Sequence, residues 1–84
     1  MTYSQRMARI KIFEHGTQNI HLHKSEVTCF FQTVQSADGD RLIHLSTFGS
    51  EQRASGPKSS QSLQLARNEA EELVRLLREV FPGI

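Results

Sequence analysis

Tryptophan is absent from the 84 residues, tyrosine occurs once, and there are only one cysteine and two prolines. Each scarcity excludes something. A lone Cys29 cannot close an intrachain disulfide, so the chain is not a disulfide-stapled miniature domain, and its thiol suits a reducing compartment. No apolar run approaches the ~20 residues of a membrane-spanning helix. Arg6, Arg9 and Lys11 are not followed by the unbroken apolar stretch and cleavage site of a secretory leader, so the expected location is cytoplasmic, compatible with association with a nucleoid or nucleus. Charge of one sign is lacking too. Ten Lys and Arg against nine Asp and Glu leave +1, which argues against a histone-like polybasic binder. Gly49, Gly56 and Gly83 have neither P-loop nor dinucleotide-loop spacing. There is no paired-carboxylate site, since Glu71 and Glu72 belong to a helix start whose dipole already accounts for them. Neither catalysis nor a cofactor is expected.

What is present reads as a single small domain. At 37% hydrophobic the chain has a modest core, and a domain this short buries only a little over ~60% of its unfolded surface, so a dimer is a natural way to hide more. The clearest element is a helix over about Arg67 to Phe81. Ala70, Leu73, Val74, Leu77, Val80 and Phe81 follow the 3,4 spacing of one buried stripe. Asn68 with Glu71 reads as a capping box, Glu69 and Glu72 suit the positive helix start, Arg75 and Arg78 suit its end, and Pro82-Gly83 stops it.

Upstream the apolar period changes to two, the mark of strands with one buried face. The alternation predicts strands at Arg9–Phe13, Asn19–Lys24, Val27–Val34, Arg41–Phe48 and Gln61–Leu65, with a turn at Ser36-Ala37-Asp38-Gly39-Asp40. Residues 1–8 are expected to fray as a flexible N-terminus, leaving 9–84 as one sheet-plus-helix domain. The Ser/Gly/Pro-rich stretch from Gly49 to Ser60 reads as an exposed loop or arm bearing Arg53 and Lys58.

Residues two apart in a strand share a face, so the alternation also sorts side chains. One set is apolar: Ile10, Ile12, Ile20, Leu22, Val27, Cys29, Phe31, Ile43, Leu45, Leu63 and Leu65 are expected under the helix stripe. The opposite set mixes Arg9, Lys11 and Phe13, His21 and His23, Thr28, Phe30 and Gln32, then Leu42, His44, Ser46 and Phe48, and finally Ser62 and Gln64. No acid falls in it. Such a face suits single-stranded nucleic acid, whose bases stack on aromatic rings while Lys and Arg follow the phosphates. Taken by composition alone it suits a protein partner more readily still, because an exposed apolar patch marks an interface without saying which kind. His21, His23 and His44 offer a His-x-His spacing, but no second cysteine or placed carboxylate completes a zinc set, and solvated histidines are the simpler reading. Cys29, flanked by apolar residues, reads as a small hydrophobe rather than a nucleophile.

From Asn19 onward the order of elements resembles the positive cofactor four family of transcriptional coactivators, small proteins that bind single-stranded DNA. Three stretches carry the likeness. Asn19-Ile20-His21-Leu22-His23-Lys24 leading to Val27-Thr28-Cys29-Phe30-Phe31 looks like the family's first strand pair. Leu42-Ile43-His44-Leu45-Ser46-Thr47-Phe48 is similar to its third strand, which ends in an aromatic residue. Gly56-Pro57-Lys58-Ser59-Ser60-Gln61-Ser62-Leu63-Gln64-Leu65, then Glu69 to Leu73, looks like its basic loop, short last strand and helix start. The family's loop usually carries several Lys or Arg, whereas Lys58 here is accompanied only by Arg53. The resemblance implies an α+β fold, a curved antiparallel sheet of four to five strands followed by one C-terminal amphipathic helix. It also implies a homodimer that binds single strands across its sheets, in transcription or the handling of melted DNA, without catalysis. On that reading Phe30 and Phe48 stack bases, and Lys11, Lys24, Arg53 and Lys58 meet phosphates. Ser46, Ser62 and Gln64 hydrogen-bond beside them, with His44 on the same face. The alternative is a protein-interaction module using that face.

The near-neutral total hides a small asymmetry. Residues 1–66 hold seven basic and five acidic groups, leaving +2, and residues 67–84 hold three and four, leaving −1. Binding by so small a local excess is expected to weaken readily with salt.

Overall fold

The computed structural model describes residues 7–48 and 59–84. Within them lie β1 (Met7–Arg9), β2 (Cys29–Gln35), β3 (Arg41–Phe48), β4 (Ser59–Leu65) and α1 (Arg67–Val80). The strands form one open sheet in the order β1-β4-β3-β2. β2, β3 and β4 pair antiparallel, while β1 runs parallel to β4. The α+β architecture of a sheet followed by one helix is as the sequence predicts. The sheet is mixed, however, rather than wholly antiparallel.

The β2–β3 hairpin forms where β-branched and aromatic residues flank a turn-forming segment. Ser36 and Asp40 close it, the Ser36 amide donating to the Asp40 carbonyl at 2.8 Å. Inside, the Gly39 amide donates to the Ser36 carbonyl at 2.9 Å, and the Asp40 amide to Ser36 Oγ at 3.2 Å. Gly39 sits at φ +90°, the left-handed position that three-residue hairpin loops require and that glycine enters without a Cβ penalty.

Two predicted strands do not form. Arg9–Phe13 is replaced by β1, which sits two residues earlier, so Met7 and Ala8, expected to fray, instead pair with Ser62 and Leu63. The reason lies in β4. Arg9 is already opposite Gln64, the Ile10 amide still donates to the Gln64 carbonyl at 2.8 Å, and one residue later β4 ends. Beyond Ile10 there is no strand left to pair with. Asn19–Lys24 has the right alternation but no neighbour either, and residues 10–28 carry no regular structure. β2 likewise starts at Cys29, not Val27, opposite the far end of β3.

β4 passes into α1 through Ala66 alone. Ala66 is the N-cap, in an extended conformation with no side-chain cap bond, and its carbonyl accepts the first helical hydrogen bond, from the Ala70 amide at 2.9 Å. The expected Asn68–Glu71 capping box is therefore absent, because the strand fixes the start two residues before Asn68. The helix runs to Val80, with Phe81 as C-cap. Its wet side carries Arg67–Glu71 at 3.1 Å and Arg75 bridging Glu72 and Glu79, exposed pairs that solvent screening leaves weak.

The core is small. Leu42 and Leu65, at 5% and 3% exposure, are the buried apolar residues among those described. Leu42 was expected on the outward face. It is buried because it sits at the same sheet end as Leu65, next to the position where β4 turns into α1. The rest of the expected core set is not covered: Phe31 is 75% exposed, and Ile43 and Leu63 are also open. No residue of α1 is buried, and Val74, Leu77, Val80 and Phe81 of its stripe face no strand closely enough to be shielded.

Two outcomes test this account. Gly39→Ala adds a Cβ that meets nothing within 4 Å, so its expected cost, ~1–2 kcal/mol in urea unfolding, is backbone strain alone. Arg75 lowers the titration of Glu72, first through their hydrogen bond and then by charge. A lowered carboxylate contributes stability above its unfolded value and loses it as pH falls through the folded one. Arg75→Ala is expected to return Glu72 to the ordinary carboxylate range in an NMR pH titration.

Candidate functional site

Strand pairing aligns side chains in rows across the sheet. Met7, Ser62, Ser46 and Phe30 form one row, and Arg9, Gln64, His44 and Gln32 the next on the same face. The opposite face holds Ala8, Leu63, Leu45 and Phe31, then Leu65, Ile43 and Thr33. The two-face partition read from alternation is thus reproduced in β2, β3 and β4.

Phe48 belongs to the first face, two residues beyond Ser46. The β3–β4 register shifts between Thr47 and Phe48, so Phe48 lies opposite Ser59. Irregularities of this kind locally increase strand twist and re-aim the side chains beside them. The Phe48 ring meets Phe30 edge-to-face, with centroids 5.5 Å apart and planes at 74°. That geometry suits two aromatic quadrupoles, and it leaves Phe30 51% exposed. Beside the pair, Gln64 Nε2 donates to His44 Nδ1 at 3.0 Å. The bond requires an unprotonated Nδ1, which places the proton of neutral His44 on Nε2. Ser46, Ser62, His44 and Gln64 are half-buried in the middle of the sheet, while Gln32 and Arg9 are exposed at its flanks. Among the described residues no acidic side chain lies in these rows. The face therefore offers two rings, hydroxyls, amides, an imidazole and one guanidinium: a surface built for stacking and neutral hydrogen bonding with a cation at its margin.

The structure brings Phe30, His44, Ser46, Phe48, Ser62 and Gln64 together. Other candidates stand apart. Lys11 leaves the sheet with the chain after Ile10 and lines two shallow, open depressions of about 320 and 310 Å³ beside the helix start, with Glu69 in both and Glu72 in one. Acids so close make it a poor phosphate contact. Lys24 lies in the unpaired segment, so no strand register ties it to the face. Arg53 and Lys58 lie outside the described residues. Arg9 was read onto this face but not among its contacts; the parallel pairing that seats it beside Gln64 leaves no mark in local periodicity. His21, His23 and His44 form no metal-holding group, nor does any other set of three His, Cys, Asp or Glu among the described residues. Cys29, expected in the core, is exposed at the start of β2.

No family model matches the chain, and searches of curated proteins and of solved structures return no match. Geometry and sequence pattern are thus what bear on function.

The aromatic pair can be checked directly. A double-mutant cycle of Phe30→Leu and Phe48→Leu is expected to show a coupling of ~0.5–1.5 kcal/mol in chemical unfolding; additive losses would mean the rings do not meet in solution.

Proposed function

We propose that the protein binds single-stranded nucleic acid, DNA in the first instance, on the Phe30–Phe48 face, and acts without catalysis in transcription or the handling of melted DNA. The observation that supports this most is the aromatic pair, Phe30 exposed and Phe48 half-buried, set in rows of serine, glutamine and histidine that hold no acid among the described residues, with Arg9 at their edge. Bases stack on such rings for ~1–3 kcal/mol each whatever their identity, and the neutral groups hydrogen-bond bases or sugars without repelling the backbone. Arg53 and Lys58 supply further cations in the sequence next to Phe48. The resemblance to the positive cofactor four family points to the same ligand.

A second reading has its own observation. The face is continuous with apolar Met7, 52% exposed, and an aromatic surface of that sort also suits a protein partner.

Fluorescence anisotropy with a labelled single-stranded oligonucleotide and its duplex, across a salt series, separates the two. Preference for the single strand, with affinity falling as salt rises, is the expected result. Phe48→Ala is expected to weaken binding about 5- to 150-fold irrespective of sequence, and Arg9→Ala to reduce the salt slope by about 0.7. No micromolar binding at low salt would leave the protein-partner reading in possession of the face.

A further inference from the structure

A side-chain hydrogen bond joins β4 to β3 across the aromatic face, from Gln64 Nε2 to His44 Nδ1 at 3.0 Å. Both residues are half-buried. The bond fixes what the pair leaves for a ligand. With Nδ1 accepting, neutral His44 carries its proton on Nε2 and presents a donor there, while Gln64 keeps its Oε1 acceptor and one spare amide hydrogen. A donor beside an acceptor suits a base, whose edges carry both kinds of group. A phosphate oxygen, which only accepts, meets the lone pairs of Oε1.

One added proton reverses this. Histidine is the side chain that gains charge between about pH 8 and pH 5, and an imidazolium donates from both ring nitrogens. Nδ1 then no longer accepts, so Gln64 keeps its bond only by turning its amide, with Oε1 accepting from Nδ1–H. Gln64 Nε2 takes the place that Oε1 held, and it stands there with two donors beside a charged His44 Nε2–H. Donors gathered round a cation are what an oxyanion needs, because charge-assisted bonds are about twice as strong as neutral ones.

The neighbours of His44 leave that charge unmatched. On this face β2 contributes Phe30 and Gln32, β3 itself Leu42 and Ser46, and β4 Ser62 and Gln64, none of them titratable. β1 brings Arg9, two strands away across Gln64 and so about 10 Å off, where salt screens most of the repulsion. Glu69 of α1 lines a depression with Arg9 and Lys11, not with His44, and Glu72 lines one with Lys11. Among the described residues no carboxylate in these rows competes for the proton's charge.

We propose that His44 and Gln64 form a proton-gated oxyanion site, closed to anions while His44 is neutral and holding a phosphate-like group once it is protonated. It rests on the nucleic-acid reading of this face only for the source of the phosphate.

NMR of the ring nitrogens in the free protein tests the gate without a ligand. At the upper end of the range from about pH 8 to pH 5, His44 is expected to carry its proton on Nε2. Towards the lower end both nitrogens gain protons, and the Gln64 side-chain amide moves with the same titration. Sulfate, an anion of constant charge over this range, is expected to shift both residues in acid and neither at the upper end. With a labelled single strand, affinity is expected to rise about fivefold on acidification and the salt slope to steepen by about 0.7, and His44→Gln to lose both gains. A neutral His44 protonated on Nδ1, a Gln64 amide that ignores the His44 titration, or sulfate shifts alike at both ends overturns the proposal. So does a His44→Gln protein that keeps the full gain, which would assign the proton to His15, His21 or His23. If no strand binds at any pH while sulfate still shifts the pair in acid, the gate stands for a free oxyanion and the nucleic-acid reading falls.

Discussion

The constraint on which the rest of the structure depends is the passage of β4 into α1 with only Ala66 between them. With no loop to redirect the chain, the helix must start where the strand stops. That end of the sheet is where Leu42 and Leu65 are sealed from water, one from each face. The same junction limits β1, which has no partner once β4 ends, and it displaces the helix cap from Asn68 to Ala66. An interruption there would remove the one place where the described residues are well buried.

Where the sequence was legible, the reason is local. Period two in Phe30-Phe31-Gln32-Thr33 and in Ile43-His44-Leu45-Ser46 reports which side chains share a face, and pairing aligns them as the pattern says. The 3,4 spacing from Ala70 to Phe81 placed the helix to within a residue. Alternation does not report whether a strand has a neighbour. Arg9–Phe13 and Asn19–Lys24 have the pattern and fail to pair, since pairing is set by where β4 ends and by which edge is free. Burial was illegible for a related reason: Phe31 and Leu63 are core-like in type, but no described element covers them. Leu42 shows the converse, a residue of outward parity buried by its position beside the helix junction.

The candidate site divides the same way. The grouping of Phe30, His44, Ser46, Phe48, Ser62 and Gln64 follows from parity. The contact between the rings and the bond from Gln64 to His44 depend on strand register, which the sequence does not display. The cations were the least legible part. Lys11 was assigned by extending a strand that stops at Arg9, and Arg9 gained its place through a parallel neighbour 55 positions away in the chain.

The placement of the core at one end has a mechanical consequence. Leu42, Leu65 and the Gly39 hairpin loop all lie at that end, while Cys29, Thr47 and Phe48 lie at the other, where the register already slips and little apolar surface is buried. Opening free energy therefore falls along the strands towards Phe48, as it does wherever contacts thin out. An opening that begins at the Phe48 end can therefore loosen the contact between the two phenylalanine rings while the Leu42–Leu65 end stays paired.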